Sequence, residues 1–115
     1  MNISYDKRPW GDEEILTMNE QTSVKVLTVN PGQRCSLQYH EHRKEFWKVI
    51  EGNLRVVVNN EEKEAKLGDE FEIEPKMTHR LIGTDAPAKV LEISFGNFDE
   101  NDIVRLQDDY GRLEK

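Results

Sequence analysis

The sequence is short of cysteine, of positive charge and of long apolar runs, and each shortage removes a class of protein. Cys35 is the only cysteine among 115 residues, so no disulfide can form within the chain. That suits a reducing compartment, and a cytoplasmic location is the expectation. Nothing around Cys35 resembles a thiol-enzyme signature, and it reads as a small packing residue. No apolar run approaches the ~20 residues needed to cross a bilayer, and residues 1–7 hold no apolar signal segment. Sixteen basic residues against 23 acidic ones leave a formal net charge of -7. Such a chain repels phosphate backbones and anionic lipid, which excludes nucleic acid and membrane surfaces as general partners. A local basic pocket can still hold an anionic small molecule. Internal linkers and low-complexity segments are lacking too, so one domain over residues 1–115 is expected. With 36% hydrophobic and 34% charged residues, the apolar side chains must be gathered on few surfaces.

What is present is a series of short β-branched and aromatic runs. They cover 24–29, 36–42, 46–50, 54–58, 64–67, 71–74, 79–82 and 89–95. Asn30-Pro31-Gly32, Glu51-Gly52, Asn59-Asn60, Gly68-Asp69 and Pro75 punctuate them. Short strands at this spacing predict an antiparallel sandwich or barrel. Asn59-Asn60 suits a tight hairpin, because asparagine tolerates positive φ. The tail reads differently. Ile103, Leu106 and Tyr110 recur at helical spacing and Asp99 can cap, which predicts a short C-terminal helix lying on the barrel.

The chemistry gathers in the middle of the chain. On a strand, Gln38, His40 and His42 share one face. Three polar side chains facing a barrel interior need a partner, and a divalent metal ion supplies one. Imidazole with carboxylate suits zinc first, then Mn, Fe, Co or Ni, whereas oxygen-only sites suit calcium or magnesium. Glu45 follows on the next strand, and His79, after Pro75, would close the site. A pair of histidines two residues apart is by itself commonly a solvated face.

The glycine framework tilts the balance. Gly32, Gln38, His40, Glu45 and Gly52 fall at the spacing of the first motif of the cupin superfamily, with Gln38 in the place of its first histidine. Gly68, Pro75 and His79 resemble the second motif more loosely. Pro75 comes one residue late, Met77 stands where glycine is common, and Gly83 where asparagine is common. The resemblance implies an all-β, double-stranded β-helix (jelly-roll) barrel. Two ligand sets are open. Gln38, His40, Glu45 and His79 fit the spacing better, while His40, His42, Glu45 and His79 offer stronger donors.

Four further segments narrow the resemblance: Arg8-Pro9-Trp10-Gly11, the run from Ser36 to Trp47, the run from Pro75 to Leu81, and the run from Asn101 to Arg112. Together they resemble the type II mannose-6-phosphate isomerase domain, which many bacteria carry behind a mannose-1-phosphate guanylyltransferase. That nucleotidyltransferase part is not in the sequence, so a free-standing isomerase domain is implied, acting on a sugar phosphate as a homodimer. Aldose–ketose isomerisation requires a base, a Lewis acid and a cationic site for the phosphate. His42 is the expected base and Lys44 the alternative, with Arg80 beside His79 as a further candidate, although alternation points it away from the metal. Arg34, Arg43, Lys44 and Arg80 are candidates for the phosphate. Each also has a plain reading as a solvated charge. Trp47 either walls the pocket or fills the core, and Trp10 is expected to anchor the N-terminal segment. A dioxygenase-like cupin or a non-catalytic sugar-binding module are the alternative functions.

Overall fold

The computed structural model describes residues 4–113, and every regular element among them is a strand. The order is β1 (Ser4–Arg8), β2 (Gly11–Ile15), β3 (Thr22–Val29), β4 (Leu37–Tyr39), β5 (Lys44–Glu51), β6 (Leu54–Val58), β7 (Glu61–Ala65), β8 (Glu70–Ile73), β9 (His79–Ile82), β10 (Ala88–Phe95) and β11 (Val104–Gln107). A four-stranded sheet runs β3-β10-β5-β8 and a five-stranded sheet runs β11-β4-β9-β6-β7, while β1 and β2 form a separate hairpin. All pairings are antiparallel. No helix among the described residues is long and apolar enough to cross a membrane.

The two sheets face each other across one core. Trp47, Val49, Ile73 and Val90 come from the first sheet, and Leu54, Val56, Val58 and Leu81 from the second. The period-2 alternation of β6, with Leu54, Val56 and Val58 buried, follows the expected pattern. Polarity changes along the inner face. On β5 the inward series is Glu45, Trp47, Val49, and its partners on β10 are Ser94, Glu92 and Val90. On β9, His79 precedes the core residue Leu81. One end of the interior is therefore apolar and the other carries the ionisable groups.

The turns follow their residues. Asn59 and Asn60 both have positive φ, 53° and 67°, and join β6 to β7 as a tight hairpin. Gly83 has another purpose: a Cβ there would lie 2.2 Å from the Asn30 carbonyl oxygen and 2.9 Å from that of Gln33. The Gly83 N–H donates to that same Gln33 oxygen at 2.7 Å, so the backbones are held together.

The expected C-terminal helix is not there. Residues 104–107 are β11, an edge strand whose Val104 and Arg105 pair with Tyr39 and Gln38 of β4. Asp99 caps no helix; its carboxylate accepts the Asn101 N–H at 2.9 Å and its carbonyl accepts that of Asp102 at 3.1 Å. The helical spacing of Ile103, Leu106 and Tyr110 buries no common face, since Leu106 is 47% and Tyr110 52% exposed. An open edge on β4 offers this segment a hydrogen-bond ladder, and tertiary pairing overrides the local pattern. The β1–β2 hairpin had no signal, because its residues are mostly exposed and charged. Trp10 lies at its turn and is 74% exposed, so it anchors nothing; the Lys48–Glu14 ion pair, 3.2 Å, ties the hairpin to the barrel.

Gly83→Ala should destabilise the protein by about 2 kcal/mol or more, because the added methyl meets pinned backbone. Gly96→Ala, with φ +86° but open space around it, should lose only about 1 kcal/mol. Urea denaturation of the two variants checks the difference.

Candidate metal centre

The centre is built where strand ends of the two facing sheets meet. His40 follows directly on β4, Glu45 lies in β5, and His79 opens β9. All three are buried, and one ligand atom from each lies within 4.8 Å of the others. Glu45 Oε2 is 3.5 Å from His40 Nε2, and Glu45 Oε1 is 3.6 Å from His79 Nε2.

Backbone carbonyls set both tautomers. His40 Nδ1 is 2.6 Å from the Asp102 carbonyl, and His79 Nδ1 is 3.0 Å from that of Met77. A carbonyl only accepts, so each Nδ1 carries the hydrogen; the Nε2 lone pair of His79 faces Glu45, and that of His40 lies between Glu45 and the Arg43 guanidinium. Burial holds both imidazoles neutral, with pKa values lowered to about 4. His79 Nε2 and Glu45 Oε1 are buried and have no hydrogen-bond partner. Two neutral imidazole nitrogens, a carboxylate and two unsatisfied buried atoms fit a divalent transition-metal ion. Backbone acceptors behind the imidazoles are what such ligands require.

The surroundings are charged. Arg43 Nε donates to Glu45 Oε2 at 3.0 Å, and its Nη2 lies 3.0 Å from His40 Nε2. The same guanidinium donates to the Asp99 carbonyl at 3.1 Å and sits over the Phe98 ring, 4.5 Å from its centroid. A cavity of about 450 Å³, lined in part by Gln38, Arg43, Glu45, Trp47, His79 and Glu92, opens beside the triad. That falls within the roughly 300–1,000 Å³ of small-molecule sites.

The sequence candidates part company here. Gln38 lines the cavity, pairs across the ladder with His79, and accepts the Ser36 hydroxyl through Oε1. His42 does not join it. The strand ends at Tyr39, and residues 41–43 form a turn whose Glu41 and His42 N–H groups donate to the two oxygens of Asp102, at 2.8 and 3.0 Å. Alternation stops there, and the exposed His42 lines a separate cleft with Asn97 and Asp102. Lys44 pairs with Glu72 and Glu74, and Arg34 is bound in bidentate fashion to Asp109, 2.8 and 3.0 Å. Arg80 is buried on the other face of β9, donating to the Cys35 carbonyl and to Gln107. Trp47 fills both of its readings: it belongs to the core, lines the cavity, and meets the His79 ring edge-on at 5.5 Å. Cys35 is a packing residue whose Sγ accepts the Leu81 N–H.

Two residues were missed. Asp102 orients His40 with its carbonyl and shapes the turn with its carboxylate, roles that depend on β11 and leave no local trace. Glu92 did leave one, as the only charge in the run Val90–Ser94. It is buried in the cavity wall, accepts Trp47 Nε1–H at 3.2 Å, and has its pKa raised to about 7, by burial first and then by the charge of Glu45. Glu45 is raised as well, chiefly by burial, with Arg43 opposing.

Two facing antiparallel sheets with two imidazoles and a carboxylate converging at one end define a cupin. Solved structures agree on the fold. A cupin protein from Bacteroides fragilis matches with a TM-score of 0.61 at 19% identity, covering 71% of this chain and 72% of that one. A sugar phosphate isomerase of the cupin superfamily from Silicibacter pomeroyi matches with a TM-score of 0.63 at 24% identity, covering 76% and 68%. The chain belongs to the family described as mannose-6-phosphate isomerase C-terminal, whose model matches residues 3–108. Among curated relatives, the mannose-1-phosphate guanylyltransferase ManC of Salmonella typhimurium is 37% identical over 108 residues. The alginate biosynthesis protein AlgA of Pseudomonas aeruginosa is 36% identical over 107. These alignments cover 92% and 91% of this chain but only 22% of each relative.

Two measurements follow from the geometry. His79→Ala should lose most of the bound divalent ion, and His42→Ala should keep it, by elemental analysis of dialysed protein. Glu92 gives a pH signature in chelator-treated protein. Its folded pKa of about 7 lies above the unfolded value of 4.5, so the folded chain keeps a proton that the unfolded chain releases between those values. Stability from this group is complete below 4.5 and is lost as pH rises toward 7. Glu92→Gln should therefore gain on the parent protein between pH 5 and pH 8, by on the order of 3 kcal/mol, in urea titrations at the two values.

Proposed function

We propose that the chain is a metal-dependent aldose–ketose isomerase that interconverts mannose 6-phosphate and fructose 6-phosphate. One observation carries the reading: a second buried carboxyl group, Glu92, stands in the cavity beside the His40–Glu45–His79 centre. Membership of the mannose-6-phosphate isomerase C-terminal family supports the substrate class. Gln38 is the fourth ligand in this proposal, because it lines the cavity and His42 does not.

Isomerisation moves one proton between C1 and C2 of the open-chain sugar. A divalent ion at His40, Glu45, His79 and Gln38 supplies Lewis-acid polarisation of the sugar oxygens. The rest belongs to the chain. Glu92, fixed by Trp47 Nε1–H, takes the proton from one carbon and returns it to the other, the role that the sequence assigned to His42. Arg43, held at its outer end by Asp99 and Phe98, faces the negative charge that builds on the oxygens. Leu27 and Ile103 in the cavity wall limit water around the carbanionic centre.

The test is a coupled assay on chain loaded in turn with Zn, Mn, Co, Ni and Fe. Turnover is expected with at least one metal, and chelation should stop it reversibly. In deuterated water the hydrogen at C2 should exchange with solvent; full retention of that label would indicate a hydride shift instead. Glu92→Gln should lower kcat by about 10²–10⁴-fold with metal content unchanged. No turnover with any metal at high protein concentration sinks the isomerase reading.

A further inference from the structure

Arg105 is the one arginine without a polar partner among the described residues. The others are engaged: Arg8 with Glu13, Arg34 with Asp109, Arg43 with Glu45, Arg55 with Glu62, Arg112 with Asp108, and Arg80 with the Cys35 carbonyl and Gln107. Arg105 is half-buried, and its Nε is buried without any hydrogen bond. A guanidinium taken partly out of water and left unpaired is costly. Arg80 also lacks a carboxylate and keeps its buried Nη2 unpaired, but it has two neutral acceptors. A guanidinium with no acceptor at all, in a chain with 23 carboxylate side chains, points to a partner from outside the chain.

The ladder says where that partner comes from. Arg105 on β11 is paired directly with Gln38 on β4, and Gln38 directly with His79 on β9. Directly paired residues of antiparallel strands share a face, so Arg105, Gln38 and His79 form one row across the sheet. Gln38 and His79 line the cavity, and so does Ile103, two residues before Arg105 and of the same parity. Arg105 thus ends the row at the sheet edge. Two strand spacings, together about 10 Å, separate its backbone from that of His79. A six-carbon chain reacting at the metal centre and carrying a terminal phosphate has its charge at that kind of remove.

We infer that Arg105 is the anchor for the phosphate monoester of the substrate, receiving it as a bidentate anion while C1 and C2 lie at the centre. The inference rests on the sugar-phosphate reading above. Arg34, Arg43, Lys44 and Arg80, the cations that the sequence offered for this purpose, already have partners: Arg43 is held on Glu45 and the Asp99 carbonyl, and the other three elsewhere. A planar fork suits a phosphate better than an ammonium does, so lysine is only a partial substitute.

The test uses the full, metal-loaded chain with mannose 6-phosphate and with mannose as probes. Arg105→Met should raise Kd and KM for mannose 6-phosphate by about 10- to 100-fold. Weak binding of mannose and the metal content should not change, kcat should fall less than kcat/KM, and Arg105→Lys should recover part of the loss. In the parent protein, the Arg105 Nε–H resonance, assigned by its disappearance in Arg105→Lys, should shift on adding mannose 6-phosphate and not on adding mannose. This readout needs only the parent fold and covers the case in which Arg105→Met fails to fold. Binding of mannose 6-phosphate that depends on Arg105 but gives no turnover sinks the isomerase reading and keeps the anchor. Turnover with unchanged KM in Arg105→Met and an unmoved Arg105 resonance sinks the anchor and keeps the isomerase. A parent chain that does not bind mannose 6-phosphate at all overturns the anchor as well.

Discussion

Glu45 is 1% exposed, and a carboxyl group so placed either keeps its proton or faces cations. Much of the polar end of the barrel answers to that constraint. Arg43 lies against one oxygen with its charge, and Ser94 donates to the same oxygen at 3.3 Å. The other oxygen faces an imidazole lone pair, which cannot donate to it. Glu45 and His79 therefore each keep an unmet atom, and the want of a cation between them is written into the tautomers rather than into the charges. Glu92, next to Glu45, is pushed toward its protonated form by the same burial and the same neighbour. One buried charge thus organises an arginine, two histidines and a second carboxyl group.

The tail belongs to this arrangement more closely than its distance in sequence suggests. Asp102 holds His40 through its carbonyl and the 41–43 turn through its carboxylate. Immediately after it, β11 extends the five-stranded sheet past β4. The segment from Asp102 to Gln107 therefore fixes a ligand, closes one wall of the cavity with Ile103, and sets Arg105 beside Gln38 at the sheet edge. Loss of register in β11 would disturb all three together, because Asp102 and Ile103 lead directly into its ladder.

The strand runs and their turn residues were legible because short β-branched and aromatic runs end at glycine, asparagine or proline, and because burial on one face writes period 2 into strands such as β6. The runs 79–82 and 89–95 reappear almost unchanged as β9 and β10. His40, Glu45 and His79 were legible for a related reason: glycine and proline fix the strand ends, and the spacing then carries the ligands to one place. Legibility ended where structure depends on partners distant in sequence. His42 was placed inward by alternation, which fails once Asp102 bends the chain. The tail was given a helix because three apolar residues matched a period, and the free edge of β4 has no sequence signature at all. Arg34, Lys44 and Arg80 were chosen for closeness to the motifs, and only side-chain pairing reveals that carboxylates already face Arg34 and Lys44 while neutral acceptors hold Arg80 on the other face of β9. The β1–β2 hairpin stayed unread because an exposed strand shows no alternation.

The two tryptophans occupy opposite extremes of environment. Trp10 stands in solvent at the tip of the hairpin, while Trp47 is buried with its ring 5.5 Å from that of His79 and its N–H on Glu92. The indole of Trp47 is thus in contact with both ionisable sides of the cavity, and a change of charge on either perturbs its excited state directly. Trp10 is open to a collisional quencher in the surrounding water, and Trp47 is shielded from one that cannot enter the barrel. With a soluble quencher to silence the first, the second makes the chain its own optical probe, reporting events at the centre through emission without any attached label.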